Sequence, residues 1–176
     1  MREVFIYAFA LDIEPLLTGS RKILLLAKDE GKLSGFVEEE TLRTHPLIEG
    51  NLYILWGNIK ENKTFSAQSW ELLEEFSLPY QKKLVSTFKE TVKNYFPDGT
   101  GGYCFNLLLH TLRKTKDRIS LLVNYAWLYT VLCKREGLGF SDKEIKPFIL
   151  YKKVNKTTLE KIIKTINKLR KNVLES

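Results

Sequence analysis

The sequence predicts an α+β chain, a small closed or nearly closed β-barrel followed by an all-helical unit. Three observations carry this. Up to about residue 76, short runs of β-branched and aromatic residues are broken by turn signals. After Ser77-Leu78-Pro79 the apolar period changes from two to about 3.6. Charge divides at the same place: the first 76 residues carry 8 Lys/Arg against 13 Asp/Glu, the remainder 20 against 8, within a total of +7. We therefore divide the chain into residues 1–76 and 77–176, an acidic front and a basic back.

Five candidate strands lie in the front: EVFIYAFAL, RKILLLAK, KLSGFVEE, NLYILWGNI and KTFSAQSWEL. Residues 15–20, 29–31, 44–50 and 60–62 separate them with proline, glycine, aspartate and asparagine. Five antiparallel strands in so short a span match an OB-fold, and an SH3-like barrel fits the count almost as well. Helices have little room there.

The back opens with PYQKKLVSTFKETVKNYF, which places Leu84, Val85, Phe88, Val92 and Tyr95 on one face, with Pro79 in the first turn and Pro97-Asp98-Gly99 as the stop. GGYCFNLLLHTLRK and RISLLVNYAWLYTVLCKRE follow, the second so apolar that it belongs at the centre of a bundle. Ser141 and Glu144 have the form of a capping box for a shorter helix over SDKEIKPF. The closing segment NKTTLEKIIKTINKLRKNVLES is capped by Asn155 or Thr157 and carries an apolar stripe of Leu159, Ile162, Ile163, Ile166, Leu169 and Val173. On its opposite side Lys161, Lys164, Lys168 and Lys171 recur at spacings of three, four and three. Lys152, Lys153, Lys156 and Arg170 extend this ridge, and only Glu160 and Glu175 oppose it.

At 44% hydrophobic residues the chain is rich enough to bury a core. Its longest apolar runs fall short of the roughly 18 residues that span a bilayer. The start MREVFIYAFALDIE lacks a signal-peptide cleavage pattern, so a cytoplasmic protein without membrane contact is expected. The NKT triplets at Asn62 and Asn155 would be glycosylation acceptors only in a secreted chain. Cys104 and Cys133 read as buried thiols, without a further cysteine or histidine at zinc-ligand spacing.

Catalysis finds little support. His45 sits in a loop beside Pro46, His110 lies on an amphipathic helix, and no nucleophile-base set assembles around either. The DGTGG stretch at 98–102 reads as a turn between helices rather than a phosphate cradle, because no strand precedes it. Glu38 and Glu40 would share a strand face and with Asp29 compose a magnesium-dependent nuclease site, against the plainer reading of a charged strand end that discourages edge pairing. We expect no enzyme and no cofactor. Phe5, Tyr7, Phe36, Tyr53, Trp56, Phe65 and Trp70 divide between the barrel core and positions able to stack on bases.

Three stretches resemble the bacterial recombination mediator RecO. GSRKILLLAKDEGKLSGFV, residues 19–37, is similar to that family's early strand and Gly-Lys hairpin. PLIEGNLYILWGNIKENKTFSAQSWELLEEF, residues 46–76, is similar to its closing strands, and NYAWLYTVLCKREGLGF, residues 124–140, to a helix ending in a Leu-Gly-Tyr-like turn. The resemblance implies an OB-fold followed by a helical domain. It also implies a non-catalytic DNA-repair protein that binds single- and double-stranded DNA, promotes annealing, and works with RecR and the acidic C-terminal tail of single-stranded-DNA-binding protein in recombinase loading. Lys152, Lys153, Lys156, Lys161, Lys164, Lys168, Arg170 and Lys171 would form the DNA-facing surface, with Arg21, Lys22, Lys28, Lys32 and Arg43 as barrel contributors. The sequence departs from the family where a basic segment would follow the hairpin: Glu38-Glu39-Glu40-Thr41-Leu42-Arg43-Thr44 stands there, with Arg43 as the one matching charge. The four-cysteine zinc element of many members is also missing. A protein-interaction adaptor holding an acidic peptide on the basic helices is the alternative reading.

Overall fold

A computed structural model describes residues 1–176, the side chains of Asp142 and Glu144 excepted. Five strands, β1 (Arg2–Pro15), β2 (Ser20–Ala27), β3 (Gly31–Glu38), β4 (Leu52–Ile59) and β5 (Thr64–Glu74), precede the main helices, with one short helix, α1 (Glu39–Thr44), between β3 and β4. The sheet closes on itself in the order β1-β2-β3-β5-β4, and β4 returns to β1. It is mixed rather than wholly antiparallel as the sequence suggested. An odd number of strands cannot alternate direction all the way round a ring, and the parallel exception is β3 with β5.

That seam is narrow, with Ser34, Gly35 and Phe36 opposite Thr64, Phe65 and Ser66. Gly35 makes it possible: a Cβ there would lie 2.2 Å from the Phe65 carbonyl oxygen. Long β1 serves two neighbours, β4 along its first half and β2 along its second, with a register shift between Ala10 and Asp12 inside its pairing with β2.

Two apolar cores result. Ile6, Ala8, Ala10, Ile23, Leu25, Leu33, Leu55 and Phe65 fill the ring. Phe9, Leu11, Leu24, Leu26 and Leu52 point outward and are buried under the helices, the Phe9 and Phe105 rings tilted at 47° with centroids 5.2 Å apart. The uninterrupted run Ile23 to Ala27 follows directly, since β2 is buried on both faces.

The helices are α2 (Pro79–Tyr95), α3 (Tyr103–Lys114), α4 (Arg118–Arg135), α5 (Asp142–Tyr151) and α6 (Lys156–Leu169), closed by a π-helical turn at Arg170–Leu174. α4 is central, packing against α2, α3, α5 and α6. Buried within the bundle, the Cys104 and Cys133 thiols are each pushed up to about 12. Asn155 caps α6, its side chain accepting from the Thr158 N–H at 2.8 Å. At Ser141 the expected capping partner, the Glu144 side chain, lies outside the described residues. The π turn alters the end of the predicted apolar stripe: the wider turn brings Leu174 inward and leaves Val173 exposed. No helix is long and apolar enough to cross a membrane.

The DGTGG turn does more than join helices. Its Gly99 N–H donates to the Lys32 carbonyl and its Thr100 carbonyl accepts from the Lys32 N–H, at 2.7 and 2.8 Å. The backbone passes so close that a Cβ on Gly31, already at φ +73°, would meet Thr100 O at 2.2 Å. The β2–β3 hairpin is thereby fastened to the helical unit.

Candidate nucleic-acid interface

The cations singled out in the sequence fall into two groups. Lys153, Lys156, Lys161, Lys164, Lys168 and Lys171 are exposed, and none makes an ion pair among the described residues. Because α6 buries Ile162 and Ile166 against α4, its opposite face must carry the lysines into solvent.

Lys152 and Arg170 do not belong to that ridge. Lys152 ends α5 in the left-handed region at φ 51°, where its ammonium donates to Asn124 Oδ1 at 3.0 Å and lies 4.5 Å from the Trp127 ring centroid. Burial and then nearby Lys114 lower its pKa. Arg170 is drawn in by Glu175 at 2.7 Å and the Tyr125 hydroxyl at 3.0 Å, with its guanidinium 5.4 Å from the Tyr129 ring centroid. Burial acts to lower its pKa, but Glu175 and the tyrosines outweigh this and raise it. Both cations anchor the end of the bundle.

The barrel cations divide likewise. Lys32 is 13% exposed, and its Nζ donates to the Lys93 and Phe96 carbonyls at 2.8 Å each, beside Asp98 at 3.7 Å. It caps the C-terminal end of α2. Arg21 and Arg43 both approach Glu39, at 3.1 and 3.6 Å, and Arg21 is the main cause of that carboxyl's lowered pKa. Lys22 and Lys28 are exposed and unpaired among the described residues.

The acidic run does not remain a strand end throughout. Glu38 closes β3, whereas Glu39 and Glu40 occupy the first turn of α1, where carboxylates meet the positive end of the helix dipole. Asp29 sits in the turn beyond the other end of β3, a strand that spans about 23 Å from Gly31 to Glu38 at roughly 3.3 Å per residue. Among the described residues, no group of three or more His, Cys, Asp or Glu is placed to hold a metal. His45 is exposed after α1, and His110 lies 5.2 Å from the Trp127 ring centroid, its pKa lowered first by burial and then by Lys152 and Lys114.

Of the barrel aromatics, Tyr53 and Phe65 are buried in the ring and Trp70 packs at its rim, while Phe5, Tyr7, Phe36 and Trp56 are exposed. Sequence reasoning passed over one further feature. A groove of about 510 Å³ on α5 is lined by Lys143, Lys146, Pro147, Leu150 and Tyr151, the last two 60% and 70% exposed. The signal was the apolar tail of SDKEIKPFILYKK, which exceeds what so short a helix can bury.

No protein-family model matches the chain, and no curated protein matches it.

Proposed function

We propose that this is a non-catalytic nucleic-acid-binding protein whose basic helical unit holds DNA strands through their phosphates. More particularly, we infer a RecO-like mediator that anneals complementary strands and assists recombinase loading. The observation that carries the reading is the basic face of α6 and the turn after it: Lys161, Lys164, Lys168 and Lys171 are exposed and unpaired among the described residues, as are Lys153 and Lys156. Lysines so placed release counterions on meeting phosphate, giving sequence-independent, salt-sensitive binding, and screening two strands at once lowers the repulsion between them.

The strand order β1-β2-β3-β5-β4 with a parallel β3–β5 seam supports an OB-fold for the ring. The α5 groove supports an acidic peptide partner: lysines at its rim suit carboxylates, and Leu150 and Tyr151 offer apolar contact to the peptide's stem. The acidic tail of single-stranded-DNA-binding protein has that chemistry, and RecR is the further partner the resemblance implies. The same groove favours the second reading, an adaptor that holds an acidic peptide and no DNA. Fluorescence anisotropy of a labelled single strand across a salt series, with annealing of its complement followed in parallel, separates them. Steeply salt-dependent binding with faster annealing supports the mediator. No binding at low salt, with capture of an acidic peptide, leaves the adaptor.

A further inference from the structure

The outward residues of β1 change character along its length. Phe9 and Leu11 lie under the helices, whereas Phe5 and Tyr7, on the same side of the strand, extend beyond that cover and are 59% and 40% exposed. On β4, Trp56 stands directly opposite Phe5 and is 40% exposed, and half-buried Ile54 stands opposite Tyr7. The Phe5 and Tyr7 rings meet edge to face, centroids 6.4 Å apart at 81°. Three large rings thus cluster on an open sheet face although the ring interior is already filled by Ile6, Ala8, Leu55 and their neighbours.

We propose that the outer face of β1 and β4, formed by Phe5, Tyr7 and Trp56, is a stacking platform for the unpaired bases of a single-stranded nucleic acid. The inference rests on the nucleic-acid-binding reading above and adds where strand type is distinguished. Three points favour this occupant. The exposed residues are aromatic rather than aliphatic, and any base offers a π-face to a ring. Outward side chains on one strand repeat at about 6.6 Å, enough to seat separate bases. Cations flank the rings: Lys28, whose N–H donates to the Tyr7 carbonyl at 2.9 Å, and Lys60 at the end of β4 are both exposed and unpaired among the described residues. Glu3 and Glu71 share the face, which lowers its attraction for phosphate alone and leaves stacking as the main source of affinity. A duplex hides its base faces within its own stack, so the platform acts on single strands while the α6 lysines act on both.

The test uses the full-length chain with labelled oligo(dT) and a duplex of equal length, comparing wild type with Phe5→Ala, Trp56→Ala and Trp56→Phe after urea titration has confirmed folding. Trp56→Ala and Phe5→Ala are each expected to weaken single-strand binding about fivefold to a hundredfold, the range for one lost stack. Duplex affinity and the salt slope should not change, and Trp56→Phe should retain most of the binding. Single-strand affinity within about twofold of wild type in both alanine variants would overturn the platform while leaving the nucleic-acid reading standing. An equal loss on duplex would also overturn it. So would alanine variants that dissolve a wild-type dimer in sedimentation without changing single-strand affinity, because the face would then be a self-association surface. A wild type that binds neither strand type removes both proposals.

Discussion

Replacing Lys32 by methionine tests whether this cation belongs to the fold or to a DNA surface. Methionine keeps most of the apolar stem but removes the ammonium that reaches the Lys93 and Phe96 carbonyls, at 2.8 Å each, and the Asp98 carboxylate at 3.7 Å. With only 13% of the side chain exposed, water replaces those bonds poorly. A hydrogen bond from a charged donor contributes about 1.5–3 kcal/mol. Two bonds sharing one donor are not additive, and partly exposed Asp98 adds little, so we expect a loss of about 2–4 kcal/mol. Urea unfolding should show a lower midpoint with an unchanged slope, accompanied by a fall of roughly 5–15 °C in Tm at a few degrees per kcal/mol. At urea concentrations where both proteins remain folded, oligonucleotide affinity should match wild type. Unchanged stability with weakened DNA binding would refute the capping role and return Lys32 to the interface.

Ring closure and a partly desolvated surface acid give two further predictions. Gly35→Ala forces β3 and β5 apart, because its Cβ would sit 2.2 Å from Phe65 O, and should cost about 3 kcal/mol or more; Gly19→Ala, at φ +73° with open space around it, should cost only about 1 kcal/mol in the same denaturant titration. Glu49, exposed at its surface, carries a raised pKa, first from partial desolvation and then from Asp12, despite the Ile13 N–H it accepts at 3.1 Å. An acid raised in the folded state lowers stability above its folded pKa, and the penalty vanishes below its unfolded value near 4.5. Glu49→Gln should therefore melt higher than wild type at neutral pH, with the gap closing as pH falls towards 4.5; a gap that widens on acidification would contradict the assignment.

Much of this was legible in the sequence because the patterns were local. The five strands, the central position of α4 and the α6 lysine face follow from periods of two and 3.6. What escaped were contacts between elements distant in sequence. Lys32 looks like any hairpin lysine until the end of α2, more than sixty residues on, closes over it. Lys152 and Arg170 extend the lysine ridge on paper, but a left-handed helix end and a π turn direct them onto Trp127 and Tyr129 instead. The glutamates of residues 38–40 change from strand to helix midway, because their charge favours a helix N-terminus more than a continued strand. Even the parallel seam was implicit in counting five strands round a closed ring.

The most direct measurement is the salt dependence of single-strand binding by wild type and by a variant with Lys161, Lys164, Lys168 and Lys171 all changed to alanine. Each phosphate neutralised on a single strand contributes about 0.7 to the slope of log K against log salt, so losing four should flatten it by up to about 2.8 and weaken binding most at low salt. A variant that keeps the wild-type slope and affinity would place the phosphates elsewhere on the molecule and contradict the assignment of α6 as the DNA-binding face.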